Sequence, residues 1–147
     1  MIIIDSSAII SILFGEPSAP ALLARLAADP DRLISVASYL ETGTVLAGRR
    51  QSHRMRAIDD LDNFLEAASI TLAPVDARQA RLALRARIQF GRGMGHGGLL
   101  NFGDAFSYAL ALANDAPLLF VGDDFGATDV VDALERDDFR FGYSLSS

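Results

Sequence analysis

The stretch that decides the fold is Asn101-Phe102-Gly103-Asp104-Ala105-Phe106-Ser107-Tyr108-Ala109-Leu110-Ala111. Its apolar residues recur at helical spacing and predict a helix with one apolar face. These residues are Phe102, Phe106, Ala109 and Leu110. Asn101 can cap the first turn, and Asp104, three residues later, faces the positive end of the helix dipole. Taken alone, the Asp104 carboxylate therefore has a sufficient structural role as a stabiliser of the helix.

The first strand candidate also ends in a carboxylate. The run Ile2-Ile3-Ile4 is continuous and β-branched, which favours a strand buried on both faces, as in a parallel sheet. Asp5 follows it directly, and Ser6 or Ser7 can cap the helix that comes next. Sites in open α/β sheets form outside the carboxyl ends of strands, so Asp5 is a candidate site residue. The alternative is that Asp5 only caps the helix.

Strand and helix patterns alternate through the rest of the chain. Further strands are predicted over residues 33–36, 70–72 and 118–121, with an edge strand in the tail after residue 139. Helices are predicted over residues 8–13, 19–28, 38–48, 58–65, 76–90 and 101–114. This alternation predicts an α/β fold with a mostly parallel twisted sheet, right-handed crossovers and flanking helices. We find no internal repeat or linker and expect a single domain over residues 1–147.

The last strand candidate repeats the pattern of the first. Residues 118–121 form an apolar run, and Asp123 and Asp124 follow it after one glycine. If this strand lies beside residues 2–4, Asp5 and Asp123 end on the same edge of the sheet.

Two helix starts would bring further carboxylates, Glu41 and Asp104, to that edge. The spacing Ser38-Tyr39-Leu40-Glu41 also fits a capping box, so a purely structural role for Glu41 stays open. Four carboxylates placed together would repel one another, and their pKa values would rise unless a cation neutralised them. Mg²⁺ or Mn²⁺ fits a site made only of carboxylates and water, and such a site suits phosphodiester hydrolysis.

Composition excludes several classes of protein. The chain has 147 residues, half of them hydrophobic, and a mean hydropathy of +0.25, so it is long and apolar enough to bury a core. No apolar run approaches the ~20 residues of a membrane span, and the first residues do not resemble a signal peptide. With no cysteine and two histidines, a disulfide framework and a zinc site are disfavoured. We expect a cytoplasmic protein with no membrane partner.

The charge balance is acidic and lacks lysine. The net charge is −6, which argues against a protein that holds nucleic acid by charge alone. All 13 basic residues are arginine, so a P-loop nucleotide site and a Schiff-base enzyme are excluded. The absence of lysine also disfavours phosphatases and phosphotransfer domains that begin with a strand and an aspartate but require a lysine.

Two segments have open roles. Residues 49–56 form the densest basic segment, which suits a solvated face, a contact with phosphates or a docking face for an acidic partner. Residues 91–98 are rich in glycine and form, by expectation, a mobile loop that leads into the Asp104 helix. His96 in this loop is a weak catalytic candidate.

Four segments, which span almost the whole chain, carry a resemblance to a known family. They are Ile3-Ile4-Asp5-Ser6-Ser7-Ala8, Ser38-Tyr39-Leu40-Glu41-Thr42, Leu100-Asn101-Phe102-Gly103-Asp104-Ala105-Phe106-Ser107-Tyr108-Ala109-Leu110-Ala111 and Leu118-Leu119-Phe120-Val121-Gly122-Asp123-Asp124-Phe125. In this order and spacing they resemble a PIN-domain ribonuclease, and more narrowly a VapC toxin of a bacterial VapBC toxin–antitoxin pair. Each segment alone is a weak signal, and together they are specific for the PIN fold.

The resemblance implies a three-layer PIN-like fold and Mg²⁺- or Mn²⁺-dependent endonucleolytic cleavage of RNA. The residues that match the family's acidic, catalytic and metal-binding positions are Asp5, Glu41, Asp104 and Asp123. Asp124 can replace or join Asp123, because the family's usual spacing has one more residue there. Ser6 matches a polar position that supports the site through hydrogen bonds. The family also implies a homodimer and a VapB-type antitoxin that blocks the site.

Two alternatives remain beside the toxin. One is a PIN nuclease of RNA processing that is not a toxin. The other is a PIN-like binding module that has lost catalysis and acts through its partner, although all four acidic positions are filled here.

Overall fold

The structure is a computed structural model that describes residues 1–135, so the edge strand expected after residue 139 lies outside the described residues. The strands are β1 (Ile2–Ile4), β2 (Arg32–Ser35), β3 (Ile70–Ala73) and β4 (Leu118–Leu119). The helices are α1 (Ser6–Leu13), α2 (Ala19–Ala27), α3 (Val36–Gly48), α4 (Arg56–Ala67), α5 (Ala77–Phe90) and α6 (Phe102–Ala113). None of the helices in this part of the chain is long and apolar enough to cross a membrane.

The four strands form one parallel sheet in the order β3-β2-β1-β4. Ile3 lies opposite Leu33 of β2 on one side and Leu118 of β4 on the other. The chain steps outward from β1 through β2 to β3 and then returns to the far side of β1. The strand order therefore reverses between β1 and β4, and a crevice at such a reversal is the usual ligand site of an open α/β sheet.

Helices cover both faces of the sheet, as the alternation of elements predicted. Ile2 and Ile4 are fully buried in a cluster with residues of α1 to α4, whereas Ile3 points to the other face and packs in a cluster with residues of α5 and α6. The two outward crossovers thus lie on one face and the return crossover on the other, as right-handed connections require. The fold is the predicted three-layer arrangement.

Two predicted helix starts were wrong in detail. Asp5, not Ser6 or Ser7, is the N-cap of α1, and its side chain accepts a hydrogen bond from the Ser7 amide. Helix α3 begins at Val36 with Ser35 as its N-cap, so Glu41 lies in the second turn and takes part in no capping box. In both cases a polar residue at the strand-to-helix junction caps the helix, because the chain turns into the helix without a loop.

Helix α6 begins as predicted, but its apolar face differs. Asn101 and Asp104 form a capping box, in which each side chain accepts a hydrogen bond from the other residue's amide. Ala105 and Ala109 face the core, whereas Phe102 is 72% exposed because it occupies the first helical position, at the end of the helix. Strand β4 is also shorter than predicted and ends at Leu119.

Candidate functional site

Asp5 lies at the carboxyl end of β1, beside the strand reversal, and is 2% exposed. Its Oδ2 atom accepts hydrogen bonds from the Ser7 amide at 3.0 Å and the Ser7 hydroxyl at 2.6 Å. Its Oδ1 atom accepts one from the Ser107 hydroxyl at 2.6 Å. Three neutral donors therefore fix the orientation of a buried carboxylate.

The serines around Asp5 join the surrounding elements to one another. The Ser7 hydroxyl accepts a hydrogen bond from the Val121 amide at 3.0 Å, which ties α1 to the segment after β4. The hydroxyls of Ser107 on α6 and Ser38 on α3 are 3.0 Å apart, and both side chains are buried. The sequence analysis missed Ser7, Ser38 and Ser107 as site residues. The available signal was spacing, because Ser38 and Ser107 lie three residues from Glu41 and Asp104 on helices.

Asp104 is both a helix cap and a buried member of the site. The Asn101 amide donates a hydrogen bond to Asp104 Oδ2 at 2.9 Å, and the side chain is 5% exposed. Burial raises the pKa of Asp104 to about 7. The negative charges of Asp5 and Asp124 and a hydrogen bond with Asp124 contribute to this rise, and the hydrogen bond from the Asn101 amide opposes it.

Glu41 reaches the same place from α3. Its Oε1 atom accepts a hydrogen bond from the Ser6 hydroxyl, at the start of α1. Its carboxylate also lies against the backbone of Gly103, and a Cβ atom built on Gly103 would clash with Oε2. The glycine therefore allows α3 and α6 to approach closely enough to place Glu41 beside the residue that precedes Asp104. The sequence analysis did not assign this role to Gly103.

The loop after β4 turns Asp124, rather than Asp123, towards Asp104. Asp124 is half-buried and shares a hydrogen bond with Asp104, whereas the Asp123 side chain is exposed. Phe125, the next residue, is 3% exposed, and its ring packs on Phe120 at a centroid distance of 4.9 Å, so the chain beside Asp124 is anchored in the core. The role of either carboxylate in chemistry stays a prediction.

A side-chain hydrogen bond joins the C-terminal part of this loop to α6. The Tyr108 hydroxyl donates a hydrogen bond to Asp129, and Tyr108 itself is 5% exposed. Burial, together with this hydrogen bond and the charge of Asp129, raises the pKa of Tyr108 far above its ordinary value. Tyr108 therefore stays a neutral donor at physiological pH, and it ties the helix that carries Asp104 to the loop that carries Asp124.

The site concentrates negative charge. Within residues 1–135, no arginine or histidine is hydrogen-bonded or ion-paired to Asp5, Glu41 or Asp104. In the same part of the chain, no group of three or more histidine or acidic side chains is placed so that the whole group could hold a metal ion. Mg²⁺ often takes only one or two carboxylates and completes its shell with water and substrate phosphates, so this donor set fits such a cation.

The two segments with open roles lie outside this cluster. In the basic segment, Arg50 pairs with Asp60 and the Arg49 guanidinium lies 4.4 Å from the centre of the Phe14 ring. A backbone hydrogen bond joins the two ends of the glycine-rich loop, because the Arg92 amide donates to the Leu100 carbonyl at 3.0 Å. His96 is exposed on this loop. A substrate contact by either segment stays a prediction.

Comparison with known proteins assigns the chain to a family. The profile of the PIN domain matches residues 2–131, and the chain belongs to the PIN-domain family. It is 50% identical over 134 residues to Ribonuclease VapC28 of Mycobacterium tuberculosis, an alignment that covers 91% of this chain and 98% of the relative. Within the family, the chain therefore groups with the VapC ribonucleases.

Solved structures show the same fold. VapC20 of Mycobacterium tuberculosis, a toxin that cleaves the sarcin-ricin loop, matches with a TM-score of 0.69 and 18% identity over 90% of this chain and 98% of that chain. A toxin–antitoxin complex from Klebsiella pneumoniae matches with a TM-score of 0.62 and 18% identity over 89% of this chain and 95% of that chain.

Proposed function

We propose that this chain is an endoribonuclease toxin that hydrolyses RNA phosphodiester bonds at the carboxyl edge of its sheet. The observation that carries the proposal is the convergence of Asp5, Asp104 and Asp124 at the reversal between β1 and β4, with Glu41 held beside them. Its 50% identity to Ribonuclease VapC28 over almost the full length of both chains supports RNA as the substrate.

We further propose that the cluster acts with Mg²⁺ or Mn²⁺. One or two of the Asp5, Asp104 and Asp124 carboxylates would bind the cation directly and the rest through water, and Glu41 would lie at its margin. A divalent cation at such a site lowers the pKa of an attacking water and stabilises the leaving oxygen. A cation also offsets the repulsion that four carboxylates would exert on the phosphate backbone of RNA.

Hydrogen bonds and backbone contacts within the chain orient the carboxylates of the proposed site. The donors from Ser7 and Ser107 keep Asp5 in one orientation, and the capping box does the same for Asp104. Because burial raises the pKa of Asp104 to about 7, its carboxyl can carry a proton near neutral pH, and a bound cation would favour the ionised form. The Ser6 hydroxyl and the Gly103 backbone keep Glu41 from turning away into solvent.

We also propose that a protein partner regulates the ribonuclease activity. The solved toxin–antitoxin complex of this fold supports a VapB-type antitoxin as the partner that blocks the site. We also propose a homodimer and a place of action in the cytoplasm, where RNA and the antitoxin are made.

Cleavage of RNA by the purified protein tests the proposed function. A mixture of structured RNAs would be incubated with Mg²⁺, with Mn²⁺ or with a chelator, beside Asp104→Asn. We expect discrete cuts that need the cation and disappear in the variant, because Asn keeps the helix cap but removes a ligand charge.

Two outcomes would count against the proposal. Equal cleavage by the wild-type protein and the variant would identify a contaminating nuclease. No cleavage by either, with no cation binding by calorimetry, would favour a binding module that has lost catalysis.

A further inference from the structure

Phe102 is an exposed aromatic side chain directly beside the candidate site. Its side chain is 72% exposed, although the other large apolar residues of the same helix are buried or half-buried. It is joined to Gly103, against which Glu41 lies, and it is two residues from Asp104. Consecutive Cα atoms are about 3.8 Å apart, so less than about 8 Å separates the Cα atoms of Phe102 and Asp104.

The ring of Phe102 packs against a neighbouring aromatic ring on the same helix. It meets the half-buried ring of Phe106 edge to face, with centroids 5.1 Å apart and an angle of 84° between the planes. Such a contact is favourable and limits the orientations of the exposed ring. Phe102 therefore presents an aromatic face to solvent at the margin of the carboxylate cluster, at the cost of leaving apolar surface in water.

We propose that Phe102 is a positioning residue on which an unpaired base next to the scissile phosphate stacks. This inference rests on the proposed ribonuclease function. Any RNA whose phosphate lies at Asp5, Asp104 and Asp124 carries its neighbouring bases past the margin of the site. Proteins recognise unpaired RNA bases chiefly by stacking them on aromatic side chains, which every base can do because each has a π-face.

A protein ligand fits Phe102 less well than RNA does. A protein partner would find a larger apolar surface between α3 and α4, where a groove of about 480 Å³ is lined by residues that include Leu40, Met55 and Ile58. Phe102 does not line this groove. Its place next to Gly103, against which Glu41 lies, and its exposed ring favour a base.

A double-mutant cycle, in which the protein side chain and the RNA base are removed separately and together, tests the stacking. The substrates are a single-stranded RNA that the wild-type protein cleaves and the same RNA with an abasic nucleotide on either side of the cut. The variants are Phe102→Leu, which keeps an apolar side chain without a ring, and Phe102→Tyr, which keeps the ring. A thermal melt checks folding, and the exposed position predicts little change in either variant.

Stacking predicts that Phe102→Leu raises KM for the intact RNA by about 5- to 150-fold, with a smaller effect on kcat. Phe102→Tyr should restore a KM close to the wild-type value. One abasic position should weaken cleavage by the wild-type protein and have no further effect on Phe102→Leu, because both changes remove the same contact.

Three results would overturn the inference. The first is equal KM for Phe102→Leu and the wild-type protein, and the second is strictly additive effects of the variant and each abasic nucleotide. The third is normal RNA kinetics combined with weaker inhibition of Phe102→Leu by an antitoxin, which would make Phe102 a protein contact. Failure of the proposed function is recognised separately, because the wild-type protein would then cleave no RNA at all.

Discussion

Asp104 meets two requirements with one carboxylate. As the third residue of α6 it completes the capping box with Asn101, which fixes its rotamer. The same burial brings it against Asp5 and Asp124, and its pKa rises to about 7. The structural role and the proposed functional role are thus not alternatives, because the cap orients the group that the site uses.

The raised pKa of Asp104 predicts a pH-dependent stability of the metal-free protein. Between its ordinary value of 3.8 and about 7, the folded state binds a proton that the unfolded state has lost. The free energy of unfolding therefore falls as the pH rises through this window, by at most about 1.4 kcal/mol per pH unit for one group. Asp104→Asn lacks this titration, so its stability relative to the wild-type protein should increase from pH 4 to pH 7.

Urea unfolding of both proteins at several pH values, with a chelator present, measures this difference. Added Mg²⁺ or Mn²⁺ should reduce the advantage of Asp104→Asn, because a cation stabilises the wild-type carboxylate. A stability difference that stays constant across the pH range would show that Asp104 is not the group that titrates.

Asp123 and Asp124 form a matched pair for mutagenesis. Asp124→Asn should lower kcat/KM for RNA on the order of 100-fold, since it removes a charge that faces Asp104. Asp123→Asn should leave kcat/KM close to the wild-type value, because that side chain is exposed. Steady-state cleavage assays decide between them, and the reverse order of effects would assign the fourth acidic position to Asp123.

The close approach of α3 and α6 depends on Gly103. In Gly103→Ala the new methyl group would collide with the Glu41 carboxylate, so Glu41 must leave its place beside the site. Displacement of a reacting group by about 1 Å can cost on the order of 100-fold in rate, and we expect a loss of this size. The thermal midpoint should change little, because the better helix propensity of alanine offsets the displacement.

Gly48→Ala is the control for this variant. Gly48 is the last residue of α3, and a Cβ atom there would meet no atom within 4 Å. Its cleavage rate should equal that of the wild-type protein. Full activity of Gly103→Ala would show that the position of Glu41 is unimportant for the reaction.

Most helices and strands could be predicted because each has a local signal. The run from Ile2 to Ile4 is continuous and apolar, and Asp76 and Asn101 cap their helices as expected. The start of α3 was misjudged because Ser35 and Ser38 are both acceptable caps by sequence. Which one is used depends on where β2 leaves the sheet, and this is set by its pairing with β1 and β3.

The topology of the whole molecule explains why the site could be predicted in part. A parallel sheet with a strand reversal brings the ends of β1 and β4 together, so Asp5 and the acidic segment after β4 lie at the same edge of the sheet. The hydroxyls of Ser38 and Ser107 could not be assigned, because their contact joins residues far apart in the chain. The different exposure of Asp123 and Asp124 likewise depends on the conformation of the loop after β4, for which the sequence has no local signal.

The position of the cation is the point to measure first. Crystals of the protein soaked in Mn²⁺ would locate it by anomalous scattering, at a Mn²⁺ concentration that supports RNA cleavage in solution. We expect a peak bounded by Asp5, Asp104 and Asp124 that is lost in crystals of Asp104→Asn. A peak elsewhere, or no peak beside these carboxylates, would contradict a metal-dependent nuclease site at this edge of the sheet.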